Sequence, residues 1–279
     1  MDARNRLCFG TAGTPLASPG RSTLDGIPTV AQLGLDCMEL EFVRGVRMSA
    51  ALAAEVKKAA EHNSIQLSAH GPYYINLNSP EQAKNEASVK RILETARIAH
   101  AAGASTITFH AAYYMGTTPE EVYRRVKEQL SAIIDTLALE DNPVWIRPET
   151  TGKPSQFGTV PELIRLSQEL GQVMPCIDFS HLHARSNGRM NTYPEFRNVL
   201  EAVETGLGHT ALENMHIHVS GIAYTEKGEK HHLTLLESDL NWQELIRALR
   251  DLDARGLVIS ESPNLEGDAQ LMKKYYYSL

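Results

Sequence analysis

Histidines and carboxylates recur along this 279-residue chain, each at the end of a short apolar run. The run from Ile65 ends in His70, that from Thr106 in His110, that from Val144 in Glu149, that from Met174 in Asp178 and that from Leu257 in Glu261. Met215 leads into His216-Ile217-His218. Each run has the length and composition of a buried strand. In a parallel barrel all strand ends open on one face, so these side chains would converge there. Imidazole nitrogen and carboxylate oxygen suit zinc and other divalent transition ions. Massing them without a cation would carry a heavy cost in desolvation and repulsion. A single buried histidine at a strand end is ordinarily a hydrogen-bonded core residue; six donors at successive strand ends point instead to a metal centre.

Two local spacings add donors. His181 follows Asp178 by three residues, and Glu229-Lys230-His231-His232 lies in a long stretch after the seventh strand. Nearly nine donors exceed the needs of one ion, so two or three are expected. Multi-metal sites of this composition are typical of phosphoester hydrolysis. His62 and His100 lie towards helix ends, His183 in a loop and His209 in a turn, and His232 should point away from its neighbour, so none of these five is expected to bind metal.

The elements that must position this chemistry alternate strictly. Strands are predicted at Leu7 to Gly10, Cys37 to Phe42, and in the runs ending at His70, His110, Glu149, Asp178, Val219 and Glu261. Helices fall between them, with Ser49 and Thr118 as N-caps, Pro119 at a first helical position and Asn241 capping the helix from Trp242. Eight strands and about eight helices predict a single (β/α)8 TIM barrel spanning 1–279. A doubly wound sheet would bring a Gly-rich phosphate loop after the first strand, and Gly10-Thr11-Ala12-Gly13 is too weak for one.

The net charge of −7 argues mildly against nucleic acid as a partner. Distribution matters more, however, and basic residues (Arg44 and Arg47; Lys153; Arg185 and Arg189) follow predicted strands on the site face. A basic mouth on an acidic protein can still draw in a polyanion. Without a run of about 18 apolar residues, no membrane helix is expected. Met1 to Arg6 lack the apolar core of a secretion signal. Cys8, Cys37 and Cys176 read as buried free thiols in a reducing cytosol, so a cytoplasmic monomer is expected.

The order and spacing of Ser68-Ala69-His70-Gly71-Pro72-Tyr73-Tyr74-Ile75-Asn76-Leu77, Phe109-His110, Pro148-Glu149-Thr150-Thr151-Gly152, Cys176-Ile177-Asp178-Phe179-Ser180-His181, Met215-His216-Ile217 and Glu261 resemble the endonuclease IV family, a branch of the xylose isomerase-like TIM barrels. The resemblance implies a trinuclear zinc enzyme that cuts DNA 5′ to abasic sites. It assigns His70, His110 and Glu149 to one zinc. Glu149 bridges to a second, completed by Asp178, His216 and Glu261, while His181, Glu229 and His231 hold the third. Glu149 is thereby the central catalytic residue. Tyr73 and Tyr74 fall where the family enters the DNA. Arg44, Arg47 and Arg185, from the basic charge of the mouth, are expected to meet the substrate, although the loop with Arg44 and Arg47 does not clearly match the family's DNA-penetrating loop. The chain departs from the family with Glu229 for Asp, with His218-Val219 for Asn-Asp and with Phe179-Ser180 for Thr-Cys, which makes His218 an alternative ligand. The competing reading is a single-metal sugar isomerase or epimerase using Glu149, Asp178, His216 and Glu261. A non-catalytic, zinc-stabilised binding protein would need metal sites with no open position.

Overall fold

The computed structural model describes residues 6–279. Met1 to Asn5, read above as part of a segment without a secretion signal's core, lie outside the described residues. The strands are β1 (Leu7–Ala12), β2 (Cys37–Glu41), β3 (Gln66–His70), β4 (Thr106–Phe109), β5 (Trp145–Pro148), β6 (Cys176–Asp178), β7 (Met215–Val219), β8 (Gly221–Thr225), β9 (Gly228–Leu233) and β10 (Gly256–Ser260). The helices are α1 (Thr23–Gln32), α2 (Ala50–Asn63), α3 (Gln82–Ala101), α4 (Pro119–Leu139), α5 (Val160–Glu169), α6 (Phe179–Arg185), α7 (Tyr193–Leu207), α8 (His209–Leu212), α9 (Trp242–Asp251) and α10 (Glu266–Ser278).

Eight parallel strands follow the order β5-β4-β3-β2-β1-β10-β7-β6. Backbone bonds bring the two outer strands together: Ile146 N–H to Gln172 O, Met174 N–H to Ile146 O and Thr150 N–H to Cys176 O, at 3.0, 3.1 and 3.0 Å. The architecture is the predicted TIM barrel. Among the described residues, no helix is long and apolar enough to cross a membrane.

Strand alternation separates two environments. Leu7 and Phe9, Met38 and Leu40, Leu67 and Ala69, Ile107 and Phe109, Ile146, Ile177, Ile217 and Val258 belong to one large apolar cluster with the helices. The opposite phase points into the barrel. There Cys8, Cys37, Leu257 and Ile259 form a small separate cluster. The rest of that phase is polar: Glu39, Ser68, Thr108, Arg147, Glu149, Asp178, His216 and His218 are all buried. Barrel interiors usually hold branched apolar side chains, so this polar filling is a feature to be explained.

Local signals account for the helix ends. Thr118 and Thr159 form capping boxes with Glu121 and Glu162, with Pro at the first turn, each cap contributing about 1 kcal/mol. Ser49 caps α2 as expected. Asn241 sits at the start of α9, but its side chain makes no cap bond. Two segments differ from the sequence expectation. His183 lies in helix α6 rather than a loop, because Asp178 accepts the His181 N–H at 2.7 Å and caps that helix. The long stretch after β7 folds as the antiparallel hairpin β8–β9.

Candidate metal centre

At the C-terminal strand ends the donors meet. His70, His110 and Glu149 offer ligand atoms within 4.8 Å of one another, and so do Glu149, Asp178, His218 and Glu261. Glu149, at the end of β5, belongs to both groups. His70 Nε2 lies 3.3 Å from Glu149 Oε2, and His110 Nε2 lies 3.4 Å from Oε1. His218 Nδ1 lies 3.6 Å from Glu149 Oε1 and 3.4 Å from Glu261 Oε1.

These contacts are not hydrogen bonds. Both Glu149 oxygens, Asp178 Oδ2, Glu229 Oε2 and both His218 nitrogens are buried without a hydrogen-bond partner. Orphaned buried polar atoms are costly and rare. Backbone carbonyls explain the orientation of the rings. Gly71 O lies 2.7 Å from His70 Nδ1, and Thr150 O lies 3.0 Å from His181 Nδ1. A carbonyl only accepts, so each Nδ1 carries a proton and Nε2 is turned to the carboxylates, holding a second proton when no cation is bound and offering a lone pair when one is. Lone pairs facing carboxylate oxygens repel unless positive charge sits between them. Histidine ligands of metals show this same carbonyl support on the second nitrogen. The residues present therefore fit divalent metal.

Electrostatics agree. Burial alone would lower His70, yet Glu149, with Glu41 and Glu39 behind it, raises its pKa to about 10. Burial raises Asp178 well above the usual carboxylate range. Burial, with the charge of Glu39, pushes Glu41 up to about 8. Such a field calls for cations.

A third cluster adjoins the first two. His181 Nε2 lies 3.0 Å from Glu229 Oε2. The partner ring is that of His232, 6.1 Å away between centroids, with its Nδ1 3.0 Å from Glu261 O. His231 is exposed. The hairpin explains the exchange: Ala223 pairs with His231 but Tyr224 pairs with Glu229, leaving Lys230 unpaired in a bulge. The extra residue inverts the alternation, so Glu229 and His232 share a face. We expect His232→Ala to weaken retention of one ion at least tenfold (about 10–100-fold where ligand support is lost) and His231→Ala to leave it unchanged. Metal content after dialysis against a weak chelator measures this; the reverse pattern would refute the bulge-based pairing.

His216 does not join the mouth group. It lies one rung deeper, fully buried, its Nε2 2.9 Å from Glu39 Oε2. Burial lowers its pKa to about 4 against the pull of Glu39. Strand register gives the reason: His216 pairs with Leu257 and His218 with Ile259, so only His218 is level with the approach to Glu261. Arg185 is half-buried, its Nη1 donating to the carbonyls of Lys153 and Gln156 and to Thr151 Oγ1; it fastens the loop after β5. Arg44 and Arg47 are exposed beyond β2. Tyr73 and Tyr74 are 63% and 65% exposed. Tyr73 stands edge-on to His70 at 5.9 Å, while Tyr74 lies under Arg91 at 6.0 Å. His183 is buried between Met190 O and Asp239 Oδ1. Glu39 and Glu41 escaped the sequence reading, although the phase of Cys37-Met38-Glu39-Leu40-Glu41 puts both acids opposite the apolar positions; Cys176 is the buried free thiol expected.

A cavity of about 1010 Å³ opens at the other end of the barrel, among Gln66, Thr106, Trp145 and Leu257. Volume therefore does not mark the site; the donor chemistry does.

Fold and mouth together define a (β/α)8 barrel whose clustered His, Glu and Asp side chains are able to hold metal. The chain belongs to the xylose isomerase-like TIM barrel family, whose model matches residues 27–276. An uncharacterized protein of Methanocaldococcus jannaschii is 44% identical over 279 residues, 100% of both chains. Endonuclease IV of Thermus thermophilus superposes with a TM-score of 0.75 at 19% identity, covering 96% of this chain and 100% of that one. A D-tagatose 3-epimerase-like protein gives 0.70 at 18% identity, covering 92% and 94%. The two structures share the fold, and the superfamily is one of enzymes.

Proposed function

We propose that this protein is a zinc-dependent phosphodiesterase that incises DNA on the 5′ side of abasic sites. The observation that carries the reading is the surplus of oriented histidines. His70, His110 and His181 surround Glu149 in addition to the four donors of the Glu149–Asp178–His218–Glu261 group. A single-metal sugar enzyme needs only that second group.

His70, His110 and Glu149 would hold one ion; Glu149, Asp178, His218 and Glu261 a second; His181, Glu229 and His232 a third. Bound there, zinc acidifies water near neutral pH and offsets charge on phosphate oxygens. The chain's own groups do the rest. Glu149 fixes the spacing of two positions from one rigid strand end. The carbonyls of Gly71, Thr150 and Glu261 hold three rings in one tautomer each. Arg44 and Arg47 supply positive charge at the rim of an otherwise acidic molecule, steering a phosphate backbone inward. Tyr73, exposed beside His70, offers a face that can stack where a base is missing, for about 1–3 kcal/mol.

The test is a duplex with one tetrahydrofuran abasic analogue. We expect a single incision 5′ to the analogue, abolished by chelator and restored by zinc. Protein loaded with several zinc ions per chain that leaves this duplex intact would overturn the reading. The second reading, a single-metal sugar epimerase, rests on the completeness of the Glu149–Asp178–His218–Glu261 group. It would be favoured by one ion per chain together with turnover of a ketohexose.

A further inference from the structure

One rung below the mouth lies a second donor set, of which the phosphodiesterase reading uses only His218. Cys176 on β6 and His216 on β7 are direct cross-strand partners in the interior phase. Cys176, His216 and His218 offer ligand atoms within 4.8 Å of one another. Glu39 reaches across from β2, its Oε2 2.9 Å from His216 Nε2 and its Oε1 3.0 Å from His218 Nε2. All four side chains are fully buried.

The hydrogen bonds that would make this an ordinary polar core are missing. Both nitrogens of His216, Nε2 of His218 and Oε1 of Glu39 have no hydrogen-bond partner. Ser68 Oγ alone satisfies Glu39, donating to Oε2 at 2.7 Å. Arg147 is the buried cation nearby, but its Nη1 and Nη2 donate to the carbonyls of Pro175 and Asn214 at 3.2 and 2.8 Å. A buried carboxylate that close to imidazole nitrogens, out of hydrogen-bond alignment with them, has the arrangement of ligands around a shared cation.

We propose that Cys176 Sγ, His216 and His218, with the Glu39 carboxylate facing both rings, form a structural metal site inside the barrel that takes a zinc-class divalent ion. Thiolate plus carboxylate balance a divalent charge, which suits an interior that already holds Arg147. Mixed sulfur, imidazole and carboxylate donors match zinc's ligand range. Cys176 gives its proton to solvent as the ion binds. His218 stands between the two levels, its Nδ1 towards Glu149 and Glu261 and its Nε2 towards Glu39. The site is independent of what substrate the mouth accepts.

Sulfur makes the proposal testable, because the mouth groups contain none. The full chain would be stripped of metal and titrated with cobalt(II). The expected result is a thiolate-to-cobalt charge-transfer band in the near ultraviolet. The band should vanish in Cys176→Ser and persist in Cys8→Ser and Cys37→Ser, whose buried thiols sit in the apolar cluster by Leu257 and Ile259. Glu39→Gln should weaken cobalt binding to the band-forming site at least tenfold. If Cys176→Ser does not fold, zinc X-ray absorption on the unaltered protein decides: sulfur at about 2.3 Å supports the site. No band at saturating cobalt, a band that survives Cys176→Ser, or a zinc spectrum without sulfur overturns it. Failure of DNA incision leaves these readouts untouched, so the two readings fail separately.

Discussion

Glu149→Gln should abolish turnover while leaving the barrel folded. The carboxylate is buried, both oxygens lack hydrogen-bond partners, and it is the member shared by two donor groups. The amide has the same shape but no charge, and it replaces one acceptor by a donor. That donor can satisfy the Nε2 lone pair of His70 or His110, 3.3 and 3.4 Å away. The metal-free variant should therefore stay folded, because the amide keeps the shape of the carboxylate and a hydrogen bond to one ring. Ions held jointly through Glu149 should be lost. With several kcal/mol of transition-state charge stabilisation gone, incision of abasic duplex should fall by about a thousandfold or more. Incision rate, zinc content and melting with and without metal check this together. Parent-like turnover with parent-like zinc content would remove Glu149 from its bridging place.

The barrel was legible because apolar runs separated by helical periodicity repeat eight times, six of them carrying a donor at the end, and such a repeat has few solutions. The depth of a donor was not legible. His216 and His218 share a strand phase, and only the stagger of β7 against β10 decides which is level with Glu261. A short motif centred on Met215-His216-Ile217 points one rung too low. The hairpin was invisible for another reason. Glu229-Lys230-His231-His232 has no apolar alternation, since one side of β9 faces solvent and the other faces ligands, and the Lys230 bulge then exchanges His231 for His232. Arg185 shows how charge in a mouth loop can mislead. Its guanidinium serves backbone carbonyls that no sequence pattern announces. Glu39 and Glu41 could have been found, because two acids two residues apart in an apolar strand must share the interior face. They were overlooked because that run ends in Phe42 rather than in a donor.

Gly10→Ala should be the most damaging single-methyl change in the chain. Gly10 pairs with Cys37 across β1–β2 and lies in the inward phase with Cys8. A methyl there would meet the Cys37 carbonyl oxygen at 1.8 Å, its carbon at 2.4 Å and its Sγ at 2.6 Å. The sulfur could rotate, but the carbonyl belongs to the strand backbone and can yield only if β2 shifts. Overpacking of this kind costs about 3 kcal/mol or more. Glu39 lies two residues beyond Cys37 on the same face, so the shift should also disturb the donors of β2. Gly34→Ala is the contrast. Nothing lies within 4 Å of its added carbon, and its φ of +69° alone should cost about 1 kcal/mol. Denaturant unfolding of both variants measures the difference. A Gly10→Ala protein within about 0.5 kcal/mol of the parent, the range of ordinary surface changes, would mean that the β1–β2 contact is looser than described. The expected loss also settles why the glycine is there: it admits a neighbouring strand, and the weak Gly10-Thr11-Ala12-Gly13 pattern owes nothing to phosphate.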